Sequence, residues 1–304
     1  MEVQPIVPFA AGLETVLVYA AVVGASFSLL SVGFSLMFGV AKIIDFTYIG
    51  YVVAASYLVY TFTGGTIVGG STPFGTLPIG AALLISVVGV LPIAVFVERT
   101  LIRPMIHNAT AVMMATFGMA LFIQYLATLV WGPMVASVVP YFSGFITISH
   151  TVVSVQRFVV LPIGLLAIFL LVAFIAYTKL GKSIVAVSDD SDAAWLVGIN
   201  VNATYTLTIV LAAGFAATAA VLTAPTVGLQ PGMGWSPFTT AFIVTVLGGL
   251  GSLPGAVLAS FVYAIFQNSV SVFAGPQWAD AAALVFLVAL LFIRPRGMFG
   301  KRAA

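Results

Sequence analysis

The sequence predicts an all-α fold, a polytopic membrane bundle of about eight or nine transmembrane helices. Of its 304 residues, 62% are hydrophobic and only 6% are charged, whereas soluble domains carry roughly 25% charged residues. Charge-free runs at 46–97, 104–156, 158–178 and 193–279 are each long enough for at least one span of about 20 apolar residues. Because these runs show no alternating polar period, helices are favoured over a barrel. Residues 1–304 are predicted to form a single transmembrane domain.

Hydropathy and Gly/Pro punctuation divide the chain into nine candidate spans. They cover residues 13–40, 47–63, 77–97, 110–131, 158–177, 204–223, 238–251, 255–273 and 279–293. Interrupted segments in corresponding places of two halves are typical of inverted repeats that meet at a pathway. Such breaks are predicted at residues 39–50 and 247–256. Gly251 and Gly255 also form a Gly-x-x-x-Gly pattern, for which close helix packing is the favoured interpretation.

Basic residues set the predicted direction of the spans. With the N-terminus outside and the C-terminus in the cytoplasm, nine of the ten Lys and Arg residues are cytoplasmic, as the positive-inside rule expects. Arg157 is the exception, at a span end from which its side chain can reach the interface. No basic residue precedes the first apolar segment, so we expect it to remain as a span. The sequons at Asn108 and Asn202 are then cytoplasmic chance matches.

Two short motifs resemble catalytic or nucleotide-binding signatures but fail on spacing. Gly-Lys-Ser at 181–183 matches the last three residues of a phosphate-binding loop. However, Ala176 stands where that loop requires its first glycine. Around Ser252, Leu250 and Pro254 replace the glycines of a serine-hydrolase elbow. The sequence therefore predicts neither an ATP site nor a hydrolase, and no enzyme activity.

The remaining polar residues predict no metal site and no nucleic-acid partner. The chain has no cysteine, and His107 and His150 fall in loops on opposite sides of the predicted membrane. A net charge of +2 without a basic stripe does not suit nucleic acid. No charged residue lies in the middle of a span, although Lys42 and Asp45 lie near the end of the first. Polar residues at membrane depth, which usually hydrogen-bond between helices, are Thr116, Gln124, Gln267 and Asn268.

These breaks and polar positions supply the candidates for a substrate pathway. The candidate pathway residues are Gly39, Asp45, Phe46, Thr116, Gln124, Gly248, Gly249, Gly251 and Asn268.

The charge concentrates in a predicted cytoplasmic loop at about residues 179–201. Ser188 is a suitable N-cap, the aspartates that follow complement the positive end of a helix dipole, and Gly198 can end a helix at the C′ position. A short helix is therefore predicted at about 189–197. Its apolar middle, residues 193–197, is too short to cross a membrane. That face needs a cover, which the chain's own span ends, the lipid surface or another protein can provide.

The same loop carries a family resemblance. "TKLGKSIVAVSDDSDAAWLVGINV" resembles the cytoplasmic loop of the branched-chain amino-acid ABC transporter permease family, with departures at Val185, Ser191 and Trp195. "VERTLIRPM", "MMATFGMALFIQYLATLVWGP" and "GLQPGMGWSPFTTAFIVTVLGGLGSLPGAVLAS" resemble further motifs of that family in the same order. "FSLMFGVAKIIDFTYIG" is less similar, with Asp45 in place of asparagine.

The resemblance implies the translocation subunit of an ATP-driven importer for branched-chain or related small amino acids, with urea or short amides carried by some relatives. It implies two ABC ATP-binding subunits that hydrolyse ATP, a second permease in a heterodimer, an extracytoplasmic solute-binding protein and a location in the cell membrane. This chain itself would bind no cofactor. An ATP-independent secondary transporter or channel for a small polar solute is the alternative. The implied ATPase-docking residues are Asp190, Asp192, Ala193, Ala194, Leu196, Gly198 and Ile199.

Overall fold

The computed structural model describes residues 9–65, 77–148, 151–294 and 297–299. Within these ranges a helix coincides with each of the nine predicted spans, and three further helices, α4, α7 and α8, lie between them. The α-helices are α1 (Phe9–Ala41), α2 (Thr47–Phe62), α3 (Ile79–Val97), the short α4 (Arg103–Met105), α5 (Ala109–Trp131), α6 (Val155–Tyr177), α7 (Lys179–Asp189), α8 (Ser191–Leu196), α9 (Val201–Thr223), α10 (Trp235–Gly248), α11 (Leu253–Phe273) and α12 (Ala279–Ile293).

The prediction of a polytopic membrane helical bundle is confirmed. Six of the described helical stretches are long and apolar enough to cross a membrane, and two shorter apolar helices lie at Thr47–Phe62 and Pro276–Leu290. The six are Gly12–Ala41, Ile79–Met105, Ala109–Trp131, Val155–Tyr177, Val201–Thr226 and Leu253–Phe273.

Helix α1 forms the centre of the bundle and packs against α6, α9, α10 and α11. Small side chains permit this close approach, since Ala212, Ala213 and Ala216 of α9 are fully buried. Large apolar side chains instead point outward on the peripheral helices: Leu129 of α5 is 78% exposed. Because lipid is as apolar as leucine, such a surface is what a membrane-embedded bundle presents.

A β-hairpin departs from the all-α expectation. Strands β1 (Phe145–Ile148) and β2 (Thr151–Ser154) pair antiparallel immediately before α6. Their β-branched and aromatic residues suit a pleated surface, but each strand has only four residues, too few for a periodic signal in the sequence. The hairpin contacts the start of α1, where the Tyr19 hydroxyl donates to the Val152 carbonyl at 3.0 Å. We call this side of the bundle the hairpin end.

The opposite side of the bundle, with α7, α8 and the last turn of α1, we call the loop end. There α3 continues through a π-helical turn, Glu98–Ile102, into α4. Buried Glu98 accepts two hydrogen bonds from the Arg103 guanidinium, at 3.0 and 3.2 Å, and one from the Thr206 hydroxyl at 2.9 Å. These charge-assisted bonds satisfy the buried carboxylate. They tie α3 to the first turns of α9, directly after α8.

Candidate functional site

The loop between α6 and α9 contains two helices instead of the single one predicted. Helix α7 begins at a cap in which the Thr178 hydroxyl accepts from the Gly181 backbone N–H at 2.9 Å. Ile184 and Val187 of α7 are buried against the bundle, whereas Lys182 and Val185 are exposed. Residues 181–183, which looked like the end of a phosphate loop, are thus the first turns of an amphipathic helix.

Helix α8 begins two residues later than the sequence indicated. The predicted cap was Ser188, but the Asp190 carboxylate caps α8, accepting from the backbone N–H groups of Asp192 at 2.9 Å and Ala193 at 3.0 Å. Ser188 instead lies within α7. Serine and aspartate are equally good caps, so local preference could not decide between them.

Gly198 ends α8, as predicted. Its φ of 85° lies in the left-handed region, which favours glycine. The Gly198 N–H bonds the Trp195 carbonyl and the Ile199 N–H bonds the Ala194 carbonyl, both at 3.0 Å, which is the Schellman pattern. Both ends of α8 are therefore closed by hydrogen bonds, and the short helix presents a defined surface.

The outward surface of α8 is apolar. Trp195, Leu196 and Val197 are 68%, 77% and 77% exposed, and we call these three residues the docking patch. Soluble surfaces seldom carry adjacent large apolar side chains unless they bind something. Of the predicted docking residues, Asp192, Ala193, Leu196 and Gly198 are also exposed. Buried Ala194 and half-buried Ile199 pack inward and anchor the helix, while Asp190 caps it.

A hydrogen bond connects this loop to the end of α1. The Ser188 hydroxyl donates to the Gly39 carbonyl at 2.9 Å. The last carbonyls of a helix have no partner within the helix, and α1 ends at Ala41, beyond which Lys42 has a φ of 55°. Ser188 therefore satisfies a terminal carbonyl of α1 from the loop that bears the docking patch.

The first predicted break, residues 39–50, coincides with the turn between α1 and α2. Asp45 is fully buried, and one of its carboxylate oxygens accepts from the Thr47 N–H at 2.7 Å. The Phe46 N–H donates to the Thr116 hydroxyl of α5 at 3.2 Å. Asp45 and Thr116 thus hold the first turn of α2, and Phe46 packs its ring against Phe117 and Phe238.

The second predicted break meets the first. Helix α10 ends at Gly248, and the turn that follows uses Gly249 and Gly251 with φ angles of 98° and 82°. A Cβ added to Gly39 would lie 3.0 Å from the Cα of Gly251, so only glycine lets the two backbones approach this closely. Gly255 packs in the same way on Gly248, which agrees with the packing interpretation of this segment.

Two cavities lie against α1 at different levels along its length. The cavity nearer the hairpin end, which we call the outer cavity, has a volume of about 300 Å³. It is lined by α1 from Val22 to Leu30 and by parts of α2, α6, α9 and α10. The inner cleft, about 720 Å³, lies at the loop end and is lined by α1 from Ser35, by α7 and by the Gly251 turn. Between Leu30 and Ser35 along α1 stands Phe34. Its ring makes edge-to-face contacts with the rings of Tyr48, Phe238 and Phe242, and we call these four residues the aromatic plug.

Seven of the nine predicted pathway residues line neither cavity, and two of these seven carry side-chain amides. Gln124 of α5 is half-buried, and its amide nitrogen has no hydrogen-bond partner among the described residues. The Asn268 amide donates to the Ala264 carbonyl of its own helix at 2.7 Å. Gly39 and Gly251 line the inner cleft, so the structure brings the glycine breaks together but leaves these two amides outside.

The described part of the chain holds no group of three or more His, Cys, Asp or Glu residues that could bind a metal ion. His107 is exposed at the loop end. His150 lies outside the described residues, as do three of the basic residues of the C-terminal tail, Arg296, Lys301 and Arg302.

Comparison with known proteins identifies the family. Residues 16–294 match the family described as "Branched-chain amino acid transport system / permease component". The chain belongs to this family. A permease belongs to the transport machinery and is not a catalytic enzyme, as the sequence predicted.

Named relatives match over nearly the whole permease. It is 25% identical over 285 residues to the high-affinity branched-chain amino acid transport system permease protein LivH of Escherichia coli K12, covering 91% of this chain and 92% of the relative. It is 28% identical over 294 residues to BraD of Pseudomonas aeruginosa, covering 94% and 95%. A shorter match, 31% over 142 residues, is to the autoinducer 2 import system permease protein LsrC of Klebsiella pneumoniae. No solved structure matches the chain.

Sequence reasoning missed the outer cavity of the permease. Its walls come from five helices that are distant in sequence, and its hydroxyl residues Ser26, Ser56 and Thr240 belong to no motif. The one available signal was Arg157, the basic residue that did not fit the predicted topology. In the structure Arg157 lies at the start of α6, at the hairpin end, and lines this cavity.

Proposed function

We propose that this permease is the translocation subunit of an ATP-driven importer for branched-chain or related small amino acids. The observation that carries the proposal is the docking patch, an exposed apolar surface on a short helix that is capped at both ends. A chain without a nucleotide-binding motif needs such a surface to receive work from a separate ATPase. The names of LivH and BraD supply the substrate class.

The proposed topology has the hairpin end outside and the loop end in the cytoplasm, with the N-terminus outside and nine crossings. The contacts at the loop end support it, because Arg103 bonds the Asn202 carbonyl beside α8, and the Met298 N–H near the C-terminus bonds the Leu247 carbonyl. Arg99, Arg103, Lys179, Lys182 and Arg294 therefore share one end, as the positive-inside rule expects for a cytoplasmic surface. Residues 179–201 form the cytoplasmic coupling loop of a single transmembrane domain.

The working complex would contain two ABC ATP-binding subunits, a second permease in a heterodimer and an extracytoplasmic solute-binding protein. ATP would be hydrolysed by the ATP-binding subunits, and this chain would hold no cofactor. The two breaks, at residues 39–50 and 247–256, would correspond to the interruptions of two inverted repeats. Phe34 of the aromatic plug lies along α1 between the levels of the outer cavity and the inner cleft, and the plug is the barrier that alternating access would have to open.

Coupling between ATP and substrate requires contacts that differ between two states. The bond from Ser188 to Gly39 offers a direct route, since it joins the coupling loop to the α1 terminus beside Gly251. Movement of α7 would then shift the contact between the two breaks, which borders the inner cleft.

Reconstitution tests the proposal. Proteoliposomes with the permease pair, the ATPases and a binding protein loaded with L-leucine should accumulate leucine only with ATP inside. Omitting the ATPases should abolish uptake. Leucine flux that proceeds at the same rate without ATPase subunits would contradict the proposal and favour an ATP-independent transporter or channel.

A further inference from the structure

The outer cavity has the size and the chemistry of a small-molecule site. Its volume of about 300 Å³ is at the lower end of the range for ligand pockets. One set of wall residues is aliphatic: Val22, Val23, Leu30, Val52, Val160 and Val227. A second set carries hydroxyl groups: Ser26, Ser56, Thr223, Thr226, Ser236 and Thr240. An apolar wall with a few convergent polar groups is typical of a site that holds a small ligand with one apolar end.

One hydroxyl in this wall is buried without a partner. Ser56 of α2 is fully buried, and its Oγ has no hydrogen-bond partner among the described residues. A buried polar group without a partner costs free energy, and Ser56 is one of the residues that line the outer cavity. Two other hydroxyls of the wall differ: Thr223 donates to the Ala219 carbonyl and Thr226 to the Thr223 carbonyl, both at 2.8 Å.

Arg157 supplies the charge at the mouth of the cavity. It lines both the outer cavity and a vestibule of about 620 Å³ formed with the loop before the hairpin. Its guanidinium forms no hydrogen bond or ion pair with any described residue. Free guanidinium groups bind carboxylates in a planar, two-pronged geometry. The N-terminal turn of the 14-residue helix α10, Ser236 and Pro237, borders the same cavity, and the positive end of its dipole also favours an anion.

We infer that the outer cavity is a binding site for an α-amino acid with an aliphatic side chain. Arg157 holds the carboxylate of the ligand at the mouth of the cavity, and Ser56 and Ser26 face the other polar atoms around the ligand's α-carbon. The valine and leucine wall holds the ligand's side chain. The inference rests on the proposed function and adds a binding step within this chain, between delivery at the hairpin end and opening of the aromatic plug.

The direct test is binding of radiolabelled L-leucine to the complete purified complex without its binding protein. The competitor is 3-methylbutylamine, which is leucine without its carboxylate. The intact complex should bind leucine, and excess 3-methylbutylamine should displace little of it. Arg157→Gln should weaken leucine binding at least tenfold and remove the preference for leucine over the amine. Arg157→Lys should restore part of the affinity and part of the preference. Arg294→Gln, an exposed arginine at the loop end, is the matched control and should change neither.

A second measurement uses the absence of cysteine from the chain. Ser236 lines the outer cavity and is exposed, so Ser236→Cys is a conservative change that places a single thiol of this chain in the cavity wall. A small water-soluble methanethiosulfonate reagent should modify that thiol, and L-leucine should slow the modification severalfold. A thiol that never reacts, as expected if a lipid chain fills the cavity, would overturn the inference.

The outcomes separate this inference from the proposed function. If Arg157→Gln binds leucine as the intact complex does while ATP-driven uptake proceeds, the binding site is wrong and the importer stands. If the intact complex takes up no branched-chain amino acid with ATP, the importer itself is wrong.

Discussion

Truncating the central residue of the docking patch should weaken ATPase binding without unfolding the permease. Leu196 is 77% exposed in the free chain, so Leu196→Ala removes little that the fold uses, and exposed substitutions change stability by about 0.5 kcal/mol or less. Docking would bury the side chain. Loss of three methylene-sized groups at about 0.8 kcal/mol each, scaled to the exposed share, amounts to about 1.8 kcal/mol of affinity. That corresponds to a Kd about 20-fold higher.

The assay is the Kd of the purified ATPase subunit for the permease in nanodiscs, with thermal unfolding measured on the same samples. Leu129→Ala is the matched control, because Leu129 of α5 is 78% exposed but lies on the lipid-facing side of the bundle. The control should leave both quantities unchanged. The reasoning is refuted if Leu196→Ala binds the ATPase as tightly as the unaltered chain, or if Leu129→Ala weakens binding equally.

Three further predictions test the coupling loop and the breaks. Ser188→Ala should lower leucine uptake per ATP hydrolysed while ATPase binding persists, because the bond to Gly39 is lost. Ser183→Ala should not lower it, because the Ser183 hydroxyl bonds only its own helix. Gly251→Ala should reduce uptake and lower the free energy of unfolding by about 1–2 kcal/mol through backbone strain, whereas Gly118→Ala, with open space around it, should not; equal stability would contradict this. Asp189→Cys should react with impermeant reagents only from the cytoplasmic side, and labelling of intact cells would overturn the topology.

The sequence predicted the helices well because a membrane span has a strong signal. A run of about 20 apolar residues is long, and its ends are set by charges, Gly and Pro. The glycine breaks were predictable for a similar reason: Gly39 and Gly251 stand out where two helices are interrupted. Their mutual contact was suggested only by their corresponding positions in the two halves.

The errors arise where tertiary contacts override local preference. Ser188 is a good cap by itself, but the open carbonyl of Gly39 uses its hydroxyl, and α8 begins instead at Asp190. Ala194 matches the docking motif, yet its side chain is buried against the bundle. Its replacement by aspartate would therefore report on burial of a charge as much as on docking. Leu196 is the cleaner probe of the docking patch.

The continuity of α1 connects the two functional regions. From Phe9 to Ala41 the structure has one uninterrupted helix without proline, so we expect a displacement at one end of α1 to reach the other. Gly39, bound to the coupling loop, lies five residues from Phe34 of the aromatic plug and 13 residues from Ser26 of the outer cavity. At 1.5 Å per residue these separations are about 8 Å and 20 Å. A tilt of α1 driven from Ser188 would therefore move the plug and the cavity wall together, and breaking that bond should uncouple both from ATP.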